Sequence, residues 1–259
     1  MSFQSSKLKI KRADKHIAEI DGRLKQLKDS YISTVEYHPE HAANAIRYGF
    51  DDRTLRTDLA LMIGDAVHNL RCALDFSWLA TIRQLAPDAV SNFAKFPIFF
   101  SREKLVAALV GRKIDACSPR LFHFVVFEIK PYENGNSDIW AIHALDIQDK
   151  HRLLIPLLNY GWINNIEVEN ERGEVIRGDT WAFTRPGPYY VSFEEKVRIK
   201  SPGKLSVNVL FQEGTPTYSQ EVLDTLMRFS LIVLHIVDSL EELCLECKMV
   251  PVESQPAAS

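Results

Sequence analysis

Two short runs carry most of the chemistry this sequence has to offer. The first, IGDAVHNLRCALDFSW (63–78), sets Asp65, His68, Asn69, Arg71, Cys72 and Asp75 into an otherwise apolar stretch. The second, DIQDKHR (146–152), crowds Asp146, Asp149, Lys150, His151 and Arg152 into seven residues. Three kinds of chemistry suit these types. An arginine can hold a phosphate while a histidine near neutrality moves protons and a carboxylate orients it. That reading takes Arg71 for the phosphate, His68 or His151 for the protons, and Asp75 or Asp149 for orientation. A mixed carboxylate and imidazole set (Asp65, His68, Asp146, Asp149, His151) has the ligand types of a zinc or manganese hydrolase. The same groups can also bond to one another as a structural network, or bind a ligand or partner without chemistry, with Asp65, Asn69 and Arg152 as contact residues.

Helical phase decides which groups can meet. At about 100° per residue, Met62, Ile63, Ala66, Val67, Leu70, Ala73, Leu74 and Trp78 form one apolar arc. The polar residues fall opposite it, with Leu61, Phe76 and Leu79 mixed among them. Asp65 with His68 and Asn69, His68 with Cys72, and Arg71 with Asp75 are i,i+3 or i,i+4 neighbours. An exposed helix face favours Lys, Glu and Gln, yet none occurs between Asp58 and Ile82. The stripe is therefore expected to be partly buried, and a buried polar group needs partners from another element. The 146–152 cluster is the expected supplier, with Asp149 or His151 meeting Arg71 or His68.

The elements that position these runs follow from periodicity. Ile10, Ala13, Ile17, Ile20, Leu24, Leu27 and Tyr31 lay an apolar seam along a first long helix. Val222, Leu226, Phe229, Val233, Ile236, Leu240, Leu243 and Cys247 lay another along a helix over 218–248. Between them lies the central helix, 58–85, closed by Pro87. Short helices are expected after Ser101, after Ser118 with Pro119 at the first helical position, and from Ser137, where Asp138 sits near the positive helix end. From His151 to Gln212 the pattern alternates, as in Tyr189, Val191, Phe193 and in Leu205, Val207, Val209, Phe211. Gly173, Pro186 with Gly187, and Pro202 with Gly203 punctuate it. STVEYH and AIRYGF read as a further strand pair. The expected fold is α+β: a bundle of long helices with an antiparallel β-meander inserted before the C-terminal helix, one domain over 1–250 and a disordered tail over 251–259.

Composition limits the function classes. The 259 residues are 46% hydrophobic and 25% charged, with a net charge of −3, so nothing global draws the chain to nucleic acid. Lys7, Lys9, Lys11, Arg12 and Lys15 form a local basic patch that reads as a solvated helix start. No signal-peptide core and no bilayer-length apolar run is present, so a soluble cytoplasmic protein without membrane contact is expected. Cys72, Cys117, Cys244 and Cys247 suggest no disulfide framework, and CLEC (244–247) is a lone CxxC. The absence of a Gly-rich phosphate loop, HExxH or GxSxG removes three enzyme classes, and no cofactor is expected. His16, His38, His41, His123, His143 and His235 lack suggestive company, and Trp140, Trp162 and Trp181 read as core or sheet residues. A helical seam could also pair two copies as a homodimer.

GDAVHNLRCALD with Trp78, then FPI, then DKHRLL resembles a group of bacterial proteins that carry a GDxxHNLRxALDH run and a later DKHR. The resemblance covers about 55–154 and implies a shared domain without an activity. More distantly, the LR-x-ALD run is similar to HEPN domains, helical bundles many of which are metal-independent ribonucleases with an Arg, four to six residues, then a His. That similarity implies a phosphate-stabilising role for Arg71. The His position is held by Phe76, so proton transfer would fall to His68, one turn earlier. Phe76 shifts the expectation from catalyst toward network or binding site.

Overall fold

The computed structural model describes residues 3–30, 32–38, 43–49, 53–89, 95–154, 156–178 and 189–249. The tail 251–259, the Pro186 with Gly187 turn, His41, Trp181 and the seam position Tyr31 lie outside the described residues. So does the side chain of Leu27. The order is α1 (Phe3–Ser30), β1 (Ile32–His38), β2 (Ala43–Gly49), α2 (Arg53–Leu85), α3 (Arg102–Gly111), α4 (Ile114–Cys117), α5 (Pro119–His123), a π-helical turn (Phe124–Ile129) and α6 (Ser137–Asp149). Then follow β3 (Leu157–Asn170), β4 (Val175–Gly178), β5 (Tyr189–Phe193), β6 (Val197–Leu210) and α7 (Val222–Met249). The class is α+β, with antiparallel strands before the C-terminal helix. Among the described residues no helix is long and apolar enough to cross a membrane.

The chain divides into two compact units, Met1–His16 with Gly64–Arg152 and Leu226–Ser259, and Ile17–Ile63 with Leu153–Thr225. The first is helical. In it the seams do what their spacing predicts: Ile10 and Ala13 of α1, and Leu226, Phe229, Val233, Ile236, Leu240 and Leu243 of α7, are buried. Cys247 departs from the seam and is exposed, because α7 is near its end there. Polar contacts stitch the helices at the seam margins. Lys7 reaches Asp238 at 3.0 Å and Glu241 at 2.7 Å, and Ser230 donates to Asp14 at 2.6 Å. Arg228 reaches Asp138 at 3.1 Å, tying α7 to α6.

Capping sets the shorter helices. Ser101 accepts from the Lys104 amide and Ser118 from the Leu121 amide, each at 3.4 Å, with Pro119 opening α5. At α6 the cap is Asn136, one residue before the expected start, accepting from the Ile139 amide at 3.1 Å. α7 begins at Val222 rather than near Tyr218, because residues 213–220 turn back and the Ser219 amide bonds to Phe211.

The second unit holds two three-stranded antiparallel sheets, ordered β1-β2-β5 and β4-β3-β6. The STVEYH and AIRYGF pair forms, Ile32 opposite Gly49 through His38 opposite Ala43. The later strands do not pair strictly in sequence order. β5 leaves its neighbours to join β2, placing Val191 opposite Ile46, both buried, and β6 returns to β3. β3 also resets its pleat. Ile163 and Ile166, three apart, would face opposite sides of a regular strand, yet both are buried. Asn165 between them takes φ 60, and the register shifts between Tyr160 and Ile163. Across the ladder Gly203 has φ +85, and a Cβ there would sit 2.5 Å from Ile163 Cγ2 and 2.8 Å from the Asn164 carbonyl, so only glycine fits.

Candidate functional site

The polar stripe of α2 lies within the helical unit, and its members separate into two groups. Arg71 and Asp75 face Phe96. Arg71 Nη2 donates to the Phe96 carbonyl at 3.1 Å and pairs with Asp75 Oδ1 at 3.1 Å, while Asp75 accepts from the Phe96 amide at 2.8 Å. An ion pair one turn apart thus holds both backbone groups of one residue, and it does so in a largely dry setting: Arg71 is 6% exposed. Burial lowers the Arg71 pKa against the pull of Asp75, Asp146 and Cys72, and raises that of Asp75 against Arg71. Desolvation thus works against both partners, as in a buried pair held for geometry. The ring of Phe96 meets Trp78 edge to face at 5.9 Å, so α2 holds this residue by its side chain as well as its backbone.

His68 makes the second group. Its Nδ1 lies 2.9 Å from Asp146 Oδ1, the other oxygen of Asp146 takes the Lys150 ammonium, and its Nε2 lies 3.4 Å from Cys72 Sγ. With Asp146 accepting from Nδ1–H, Nε2 is left as the acceptor for the thiol. Asp146 is buried whereas the His68 side chain is half exposed, so this end of the network meets solvent. Burial pushes the Cys72 thiol pKa up, with Lys9 opposing.

The two sequence clusters do meet, at different residues from those expected. His68 takes Asp146, and Asp149 instead lies over the α2 backbone at Gly64. A Cβ on Gly64 would sit 2.4 Å from Asp149 Oδ1, so the bare glycine is what lets that carboxylate approach. Burial, with Asp146 and Asp65 nearby, raises the Asp149 pKa. Asp65 is exposed and its carbonyl accepts from Asn69 at 2.7 Å; buried Asn69 in turn accepts from Lys9 of α1 at 3.1 Å. His151 and Arg152 are exposed beyond the end of α6. Among the described residues no hydrogen bond joins the His151 side chain to the stripe. Nor is any group of three or more His, Cys, Asp or Glu side chains placed to hold a metal ion.

His143 was without company in the sequence, and the structure corrects this. It lies one turn before Asp146 on α6, its ring 5.9 Å from Trp140, with Nδ1 buried and unpartnered among the described residues. Burial first, then the Arg71 charge, lowers its pKa to about 4, against Asp146. The signal was legible: His143, Asp146 and Asp149 are spaced 3 and 3, one stripe on a helix. Lys9 is corrected from solvated charge to a hydrogen-bond donor in the network. The CLEC cysteines do not share a setting, Cys244 being buried and Cys247 exposed. Apart from the stripe, a cleft of about 470 Å³ runs between α5 and α7, lined by Arg120, His123, Glu128, Ser239, Glu242 and Glu246. Arg120 pairs across it with Glu246.

No protein-family model, curated protein or solved structure matches the chain.

Proposed function

We propose that the α2 stripe is a structural network with a binding site at its open end: Arg71 and Asp75 lock Phe96 to α2, and His68, braced by Asp146, faces the ligand or partner. One observation carries the reading. The Arg71 guanidinium is 6% exposed and already engaged with the Phe96 carbonyl and Asp75, while His68 is half exposed. A phosphate-stabilising arginine must reach its substrate, so the same burial counts against the HEPN-like ribonuclease reading. A metal-dependent hydrolase lacks a grouped ligand set among the described residues.

The test compares wild type with Arg71→Ala by thermal melt and by incubation with structured and single-stranded RNA, with and without chelator. The expected outcome is a loss of stability in the variant and intact RNA throughout. RNA cleavage by wild type that is lost in a variant still melting like wild type would overturn the reading.

A further inference from the structure

The groups around His68 have an order that a passive network does not need. Cys72 Sγ, His68 Nε2, His68 Nδ1 and Asp146 Oδ1 stand in line, with contacts of 3.4 and 2.9 Å. A nucleophile, a base and a group that fixes the base's tautomer occur in that sequence wherever a thiol or hydroxyl is activated by histidine. The arrangement is built from two helices, Cys72 and His68 one turn apart on α2 and Asp146 on α6, so helix packing holds it rather than a loop. Asp146 is buried and takes a second bond from Lys150, which limits its rotation. The His68 side chain between Cys72 and Asp146 is half exposed, so a small ligand can reach this end of the line.

We infer that Cys72, His68 and Asp146 form a thiol nucleophile, general base and orienting carboxylate that accept an acyl group from a small thioester or activated ester. The Cys72 Sγ–H proton passes to His68 Nε2 as Sγ bonds to the carbonyl carbon. The bond from that carbon to the leaving sulfur or oxygen then breaks, and its electron pair departs with the leaving group, which takes the proton from His68. The products are acyl-Cys72, a free thiol or alcohol, and neutral His68. Burial keeps Cys72 a thiol at rest, so proton removal belongs to the reaction and depends on His68. The inference rests on the reading of His68 as the open end of the network, and its test is independent of the stability that reading predicts.

Two exposed cysteines, Cys117 and Cys247, provide an internal standard. Folded wild type is incubated with p-nitrophenyl acetate, and acetylation is followed by peptide mass spectrometry at Cys72, Cys117 and Cys247. Geometry predicts Cys72 to react at least about tenfold faster than either, since general-base assistance is worth on the order of 10²–10⁴. Accessibility alone predicts the reverse order. His68→Gln, verified as folded by its melt, should bring Cys72 to or below the rate of the exposed pair, and Asp146→Asn should fall between. A Cys72 rate no higher than Cys117 and Cys247 in wild type overturns the inference, whatever the variants do. So does an unchanged Cys72 rate in His68→Gln. Failure of the structural reading would appear in the Arg71→Ala melt instead.

Discussion

Residue by residue, the stripe is ordered by access to solvent. Arg71 and Asp75 are neighbours by helical spacing, and what makes them costly to alter is that each also holds one backbone group of Phe96. Truncating Asp75 leaves the buried Arg71 charge unpaired, a loss of about 3–5 kcal/mol, whereas truncating Arg71 leaves a partly exposed Asp75 and an open backbone carbonyl, a smaller loss. The double variant Arg71→Met with Asp75→Leu removes both charges and should lose less than the sum of the singles, which denaturant melts of the four proteins would measure. His143 gives a prediction in pH. Its folded pKa of about 4 lies below its ordinary 6.5, so the unfolded chain binds the proton more tightly. The stabilising effect is fully present above about 6.5 and is lost as pH falls toward 4. Melting temperature should therefore drop across that window, and His143→Gln should flatten the slope. An equal slope in the variant would refute the assignment.

Among the elements, the decisive approach is α6 against α2. At Gly64 the Asp149 carboxylate occupies the space of the missing Cβ. Gly64→Ala pushes the Asp149 carboxylate aside at the cost of its present contacts, and the gain in helix propensity offsets part of this, so a net loss of about 1 kcal/mol or less is expected. Asp149→Ala clears the space, so the double variant should recover most of that loss. A simple sum of the two effects would show that the alanine is resisted by something other than Asp149. The helices themselves were readable from their seams and caps because α-helical periodicity is local. The strand partners were not: β5 looks like any other alternating segment, and only the arrival of β2 beside it decides that it leaves the later strands.

At the scale of the whole molecule, charge is the property that bears on function. The net charge is −3, and the N-terminal basic patch is partly committed to packing, Lys7 on Asp238 and Glu241, Lys9 on Asn69. A surface built to follow a phosphate backbone would release several counterions on binding. RNA retention measured between about 50 and 200 mM salt should therefore show a slope of one released ion or less. A slope of several ions would reveal a phosphate-tracking face and restore the nucleic-acid reading. The division into two compact units is likewise a property of the whole chain, since α1, α2 and α7 each contribute residues to both.

What the sequence determined by itself is what short-range physics controls: the α+β class, the long helices with their buried seams, the serine caps, the β1–β2 pair, and the anomaly of polar residues on an apolar helix. It also showed that the anomaly needed a partner, because burying Asp, Asn and Arg without one is too costly. Which partner was a tertiary decision. Asp146 rather than Asp149 reaches His68, His143 rather than His151 lies by Arg71, and the backbone of Phe96 bonds to both Arg71 and Asp75. Each of these depends on the depth at which one helix seats against another. A displacement of one helical turn exchanges one set of neighbours for the next, and nothing local to either helix records it.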